Sequence, residues 1–278
     1  MRIDAHQHFW QLARGDYGWL TAELAPIFRD FGPADLAPLL HAAKIDRSIL
    51  VQAAPTEAET AFLLDIAART PRVAGVVGWT DFDAEAAPAR VTELARNRLL
   101  VGLRPMIQDI ADPDWMLSPA VERALAAMQQ VGLVFDALVK PVHLAPLLTL
   151  ARRLPDLAMV IDHCAKPDIA GGGFEAWAEG LAPLAKLPNI RIKLSGLLTE
   201  AALGEPDSVQ PYIAHVLTRF GPERVIFGSD WPVLLLAADY PGWVAMAEAA
   251  LAHLPPAAQA RVMGGNAAEI YLRQRGRL

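Results

Sequence analysis

Eight short apolar runs, most of them followed by a segment of helical period, predict an α/β chain folded as one (β/α)8 TIM barrel spanning residues 1–278. Three observations carry this expectation. The runs are nearly continuous in apolar and β-branched residues, as parallel strands covered by helices read. They recur along the whole chain, without a linker or low-complexity tract between them. The length of 278 residues suits one barrel of roughly 250 residues as well as two ordinary domains. A doubly wound open sheet is the alternative, but eight regularly spaced strands favour closure.

In order, the strands are read at 2–8 (RIDAHQH), 47–53 (RSILVQA), 73–79 (VAGVVGW) and 100–106 (LVGLRPM). They continue at 133–139 (LVFDALV), 158–164 (AMVIDHC), 190–196 (IRIKLSG) and 224–230 (RVIFGSD). Ala- and Leu-rich helical segments fall at 58–70, 87–97, 119–130, 146–154 and 209–220, often with Pro or Gly at the boundary. The first connection is longer: residues 9–46 leave room for a loop with Asp16, Tyr17, Trp19 and Phe28-Arg29-Asp30 before a helix near 34–43. A second polar segment, QDIADPDWM at 108–116, follows the fourth strand. Both come after strand C-termini, where barrel enzymes place their sites. Gly171–Gly173 reads as a loop.

A net charge of -6 without a basic run argues against nucleic acid and anionic membrane as partners. Cys164 is the sole cysteine, so no intramolecular disulfide forms. Met1-Arg2-Ile3-Asp4 leads straight into polar residues, and no apolar run reaches the ~18 residues of a spanning helix. A soluble, cytoplasmic protein acting on a small molecule is expected, as a monomer or homodimer.

Polar groups gather near the strand ends: His6 and His8, Gln52, Arg104, Asp136 and Lys140, Asp162 and His163, Lys193 and Ser195, Ser229 and Asp230. A charge at the end of a buried strand needs a partner or a ligand. His6 and His8, two apart, leave one face of the first strand, the barrel interior. Asp230 lies on the strand that abuts it in a closed barrel. Imidazole and carboxylate together suit zinc or a similar divalent ion; the alternative is a His–Asp hydrogen-bonded network at the seam. Asp230 can orient or deprotonate a water, or else cap a turn. His163 reads as a third ligand or as a donor to a substrate carbonyl, and Asp162 is expected to point the other way, into the strand–helix layer. Arg104 and Lys193 read as donors for an oxygen-rich substrate or as salt-bridge partners.

Taken together, DAHQHFW, SILVQA…TEAET, GVVGW, VGLRP, VIDHCAKP, IKLSGL, GPERVIFGSDWP and GGNAAEIY resemble the amidohydrolase family 2 branch of the amidohydrolase superfamily. Within it the likeness is to sugar-lactone hydrolases of the L-fuconolactone and L-rhamnonolactone type, and to sulfomuconolactone and pyrone-dicarboxylate lactonases. The resemblance implies a (β/α)8 barrel, a carboxylic-ester hydrolase acting in carbohydrate catabolism, and one divalent cation, zinc first. It implies His6, His8 and Asp230 as metal ligands with His163 as a further one, and Asp230 and His163 as catalytic groups. Arg104 and Asp136 stand where the superfamily has a Lys or Glu and a His, which argues against a binuclear centre bridged by a carboxylated lysine. Arg104, Lys193, Gln52, Trp79 and Trp115 are the expected substrate-binding residues. With Arg104 the one arginine at a strand end, a neutral sugar lactone is favoured over a dicarboxylate. A metal-dependent decarboxylase of the same superfamily and a non-catalytic sugar- or acid-binding barrel are the rival readings.

Overall fold

The computed structural model describes residues 1–202 and 204–273. Each apolar run forms a strand: β1 (Ile3–Gln7), β2 (Arg47–Val51), β3 (Val73–Gly78), β4 (Leu100–Leu103), β5 (Val134–Ala137), β6 (Met159–Ile161), β7 (Ile190–Leu194) and β8 (Val225–Phe227). All neighbours pair parallel, in the order β1 to β8. Strand polarity therefore brings every C-terminus to one rim. The strands are shorter than the apolar runs because their last residues turn away to form that rim.

Eight longer helices cover the outside: α1 (Pro33–Ala42), α2 (Glu57–Arg69), α3 (Ala87–Leu94), α4 (Pro119–Val131), α5 (Leu144–Arg153), α6 (Phe174–Leu184), α7 (Gln210–Phe220) and α8 (Tyr240–Leu251). Local chemistry sets their ends. Ser118 accepts the Val121 N–H at the start of α4, Pro119 opens the first turn, and Gly132 closes it with φ 69. Thr56 caps α2 in the same way.

Side-chain alternation gives two cores. Leu50, Phe135, Ile192 and Leu194 face the helices, while Ile49, Val51, Val134, Val160 and Ile226 fill the barrel. The segment after α8 returns beneath the strand N-termini, where Ile270, Tyr271 and Leu272 join the inner cluster. There Gly264 approaches β1 so closely that an added Cβ would lie 2.5 Å from the Met1 carbonyl oxygen.

The seam between β8 and β1 closes just beyond the end of β8. The Asp230 N–H donates to the His6 carbonyl at 2.8 Å and the His8 N–H to the Trp231 carbonyl at 2.8 Å, with a parallel bridge between Gln7 and Trp231. The long first loop folds around Trp10, whose backbone pairs with Phe31 and whose indole donates to the Arg29 carbonyl. Among the described residues no helix is long and apolar enough to cross a membrane.

Candidate active site

Regular alternation from Ile3 and Ala5, both in the inner cluster, would turn His6 outward. A bulge prevents this: Asp4 pairs with Ser48 but Gln7 with Leu50, so three steps on β1 face two on β2. Gln7 then points outward to Ser48 Oγ, and His6 and His8 turn inward together. Across the seam, Gly228 is a close-approach glycine, because a Cβ there would lie 2.8 Å from His6 Cβ. The Asp4 carboxylate ties the two sides, accepting the Ser229 N–H at 2.8 Å, the His6 N–H at 3.2 Å and the Tyr240 hydroxyl at 3.0 Å. Asp230 follows in the left-handed region, φ 60, which swings its carboxylate over the barrel mouth.

The third imidazole arrives by a different device. Val160 faces inward on β6, so Asp162, two residues on, also faces inward. This corrects the expectation that Asp162 enters the strand–helix layer, which had taken its parity from His163. His163 reaches the same site through a left-handed turn, with φ values of 50, 52, 63 and 46 from His163 to Lys166. At about 1–2 kcal/mol per non-glycine residue, such a turn persists only if its surroundings hold it. They do: Trp177 Nε1 donates to the Cys164 carbonyl at 2.7 Å, Cys164 Sγ to the Lys193 carbonyl at 3.2 Å, and Ser195 Oγ lies 3.0 Å from His163 Nδ1. Gly196 leaves room for the ring, since a Cβ there would sit 2.6 Å from His163 Nδ1.

These devices bring three imidazoles to one carboxylate oxygen. Asp230 Oδ1 lies 3.2 Å from His8 Nε2, 3.7 Å from His6 Nε2 and 3.8 Å from His163 Nε2. His8 Nδ1 is 2.8 Å from the Val51 carbonyl. A carbonyl only accepts, so Nδ1 carries the proton and a neutral His8 turns a bare Nε2 lone pair at the carboxylate. Two electron-rich atoms this close need a proton or a cation between them. Donor spacing fits a cation: bonds of 2.0–2.1 Å in a tetrahedron place ligand atoms about 3.4 Å apart. Burial opposes ionisation of Asp230, but His163, His8 and His6 outweigh it and hold the carboxyl well below its usual range. Burial lowers His163 to about 4, against the pull of Asp230 and Asp162, and holds His6 well below its usual value, helped by Lys193. Both rings are neutral and available as ligands near pH 7.

Under His6 lies a second charged layer. Lys193, fully buried, sits 2.5 Å from Asp136 Oδ2, 2.9 Å from Asp162 Oδ1 and 3.1 Å from His6 Nδ1. It does not line the cavity. Burial works to raise Asp162, yet Lys193, His6 and Arg104 hold it well below the carboxylate range. Gln52 is also buried and serves Arg104: its side-chain amide donates to the Arg104 carbonyl at 2.7 Å, and its own carbonyl accepts the guanidinium.

Above the imidazoles opens a cavity of about 240 Å³. His8, His163 and Asp230 form its base, Arg104, Lys166 and Asp109 its polar wall. Trp19, Met106, Leu138 and Val233 give it an apolar side. Trp19 is fixed there by its Nε1 donating to the Ala53 carbonyl at 2.7 Å. Trp79 and Trp115 lie instead in an adjoining groove of about 290 Å³ that shares Met106 and Asp109 with the cavity, and Trp115 Nε1 is bound to Asp83. Trp19 and Lys166 were not singled out from sequence, although one stands in the long first loop and the other in HCAKP. A larger groove of about 400 Å³ beside α7 and α8 holds none of these groups apart from a single histidine, His253, and offers no comparable chemistry.

The amidohydrolase family profile matches residues 3–273. An L-fucono-1,5-lactonase of Burkholderia ambifaria is 51% identical over 97% of this chain and 95% of its own length. A second L-fucono-1,5-lactonase, from Burkholderia multivorans, is 38% identical over 98% of this chain and 96% of its own. The solved structure of a Burkholderia multivorans amidohydrolase with bound zinc is 37% identical and superposes with a TM-score of 0.93, covering 98% of this chain and 99% of that one. The chain belongs to the amidohydrolase family.

Proposed function

We propose that the protein hydrolyses a neutral sugar lactone, with L-fucono-1,5-lactone the first substrate to test, to the open-chain sugar acid. The observation that carries this reading is the Asp230 carboxylate, held ionised and ringed by three imidazoles, at the base of a cavity with Arg104 on its wall. The lactonase names of the two relatives support the substrate class. His6, His8 and Asp230, with His163 as a further imidazole, would hold one divalent cation, zinc in first place, and such an ion supplies a Lewis acid beside the carbonyl.

In this mechanism a water at the cavity base gives its proton to Asp230 as it attacks the lactone carbonyl carbon. Asp230 is a weak base, so it acts best on a water that its surroundings have already acidified. Negative charge grows on the carbonyl oxygen, and the Arg104 guanidinium is fixed in place to meet it. The Gln52 backbone carbonyl, which accepts from the guanidinium, and Asp162 at 3.5 Å keep it from swinging away. Collapse breaks the bond to the ring oxygen, and the proton on Asp230 passes to the departing alkoxide. His163, its ring locked by Ser195, borders the same space and donates or accepts as the oxyanion forms and decays. Trp19, Met106 and Val233 present an apolar surface to the less polar side of a sugar ring. Trp79 and Trp115 in the adjoining groove would meet only a substituent extending out of the cavity.

A pH-indicator screen of aldonolactones, run with and without chelator and paired with metal analysis of the purified protein, tests the reading. Acid released in step with consumption of a neutral aldonolactone is expected. Carbon dioxide from an aromatic or β-keto acid would instead make the enzyme a decarboxylase, and binding without turnover would make it a carrier.

A further inference from the structure

Of the polar segment QDIADPDWM, Gln108 and Asp109 face the catalytic cavity, while Asp109, Ile110 and Trp115 border the adjoining groove of about 290 Å³. That groove lies on the catalytic face, among the segments that leave β2, β3 and β4, and Met106 and Asp109 belong to both spaces. Its aromatic walls are held by the protein itself. Trp115 Nε1 donates to the two Asp83 oxygens at 3.0 and 2.9 Å, and its ring meets buried Phe82 edge-on, with centroids 6.2 Å apart. The Trp79 N–H donates to Thr60 Oγ1 at 2.8 Å, and that hydroxyl donates back to the Trp79 carbonyl at 2.9 Å. Both indoles stay half-buried, so each keeps surface for a ligand. Asp81, Asp83 and Asp109 border the groove and no Lys, Arg or His does, so an anionic group is repelled there. Indole faces beside carboxylates suit a neutral pyranose. Its C–H face packs on the rings, and its hydroxyls donate to the carboxylates, each of which has about four acceptor sites.

We propose that this groove is a second saccharide subsite, so that the enzyme accepts aldonolactones carrying a further pyranose on a ring hydroxyl. A lactone with its carbonyl over Asp230 presents its hydroxyls to the cavity walls, where Asp109 is the carboxylate acceptor. A glycosidic oxygen at that position leads past Met106, and the second ring lies against Trp115 and Trp79. The chemistry is unchanged: water adds its hydroxyl to the carbonyl carbon and its other proton to the ring oxygen as the acyl bond breaks. The glycosidic bond stays intact. The inference rests on the sugar-lactone reading of the cavity, and a binding measurement separates the two.

L-fucono-1,5-lactone is compared with its 2-, 3- and 4-O-β-D-glucosyl derivatives by pH indicator. Methyl β-D-glucopyranoside is titrated in parallel by saturation-transfer NMR and tryptophan fluorescence. Wild type, Trp115→Ala and Ile110→Trp are assayed, each checked for folding by circular dichroism. At least one glucosyl lactone is expected to match or exceed the parent in kcat/KM. Trp115→Ala should lower the ratio of glucosyl to parent kcat/KM about tenfold, the effect of losing one aromatic contact. Ile110→Trp, which fills the groove from its rim, should lower the same ratio, and it decides the matter if Trp115→Ala does not fold. A ratio unchanged in the folded variants would overturn the inference, as would three glucosyl lactones all below about a hundredth of the parent. So would a groove that binds tetramethylammonium and not the glucoside, which would make it a cation site. If no lactone is hydrolysed but wild type binds the glucoside and the variants do not, the catalytic reading fails and the subsite stands. Neither turnover nor glucoside binding would sink both.

Discussion

Asp230→Asn removes a charge while keeping the shape of the side chain, and the structure sets what should follow. Asp230 Oδ1 is the point on which His8, His6 and His163 converge, at 3.2, 3.7 and 3.8 Å. An asparagine still fills that place, and its amide can donate to the bare Nε2 of His8, whose other nitrogen is committed to the Val51 carbonyl. The fold should therefore hold, with the melting temperature within about 4 °C of wild type, equivalent to roughly 1 kcal/mol. Proton acceptance is lost. General-base removal costs about 10²- to 10⁴-fold, or roughly 3–5 kcal/mol of transition-state stabilisation. The assay is initial-rate lactone hydrolysis by pH indicator near neutrality, corrected for the spontaneous reaction, beside a circular-dichroism melt. A folded Asp230→Asn that retains more than a tenth of wild-type kcat/KM would refute the assignment of Asp230 as the base.

Three further substitutions test the surrounding architecture. Gly228→Ala places a Cβ 2.8 Å from His6 Cβ; we expect a loss of about 1–3 kcal/mol in urea unfolding and a fall in kcat from the displaced imidazole, and an unchanged variant would show that the seam is looser than described. Arg104→Met should lower kcat about 10²- to 10³-fold, as loss of one fixed oxyanion donor does, with Arg104→Lys recovering only part because it lacks the planar fork; a change confined to KM would make Arg104 a ground-state binding group. Glu59 is buried and accepts the Ala53 and Ala54 N–H groups, yet burial outweighs those bonds and pushes its carboxyl up to about 7. Its folded-state value is raised, so the stability it contributes is fully present below about pH 4.5 and lost as pH rises through 7. Relative to Glu59→Gln, wild type should lose up to about 3 kcal/mol between pH 4.5 and 8; a difference that does not change with pH would mean that the backbone N–H groups dominate.

The barrel could be read from sequence because a parallel strand buried on both faces leaves an apolar, β-branched run with little alternation, and eight such runs stand in line. His6, His8 and Asp230 could be paired because closure forces the first and last strands together. The face of Asp162 could not be read, since a left-handed turn after β6 sends two consecutive residues into one site where a strand would separate them. The bulge on β1 was equally silent: HQH keeps its spacing whether or not an extra residue precedes it. Trp79 and Trp115 were expected at the cavity and Trp19 was not, because the path of a loop depends on contacts such as the Trp19–Ala53 bond that no periodicity records. From its strand-end position Lys193 reads equally as a substrate donor or a salt-bridge partner, and it stays below the cavity because Asp136 and Asp162 meet its ammonium there.

The seam has a consequence for how the protein comes into being. His8 and Asp230 are 222 residues apart in sequence yet bring Nε2 and Oδ1 within 3.2 Å of each other, and the backbone bonds that close the barrel belong to the residues that perform the proposed chemistry. Gly264, still later in the chain, packs on the Met1 carbonyl. A nascent chain that ends before β8 therefore holds two histidines without Asp230, and site assembly coincides with ring closure. Catalytic competence during synthesis or refolding should appear in one step, after the last strand docks, and fragments split anywhere along the chain should be inactive until both halves meet.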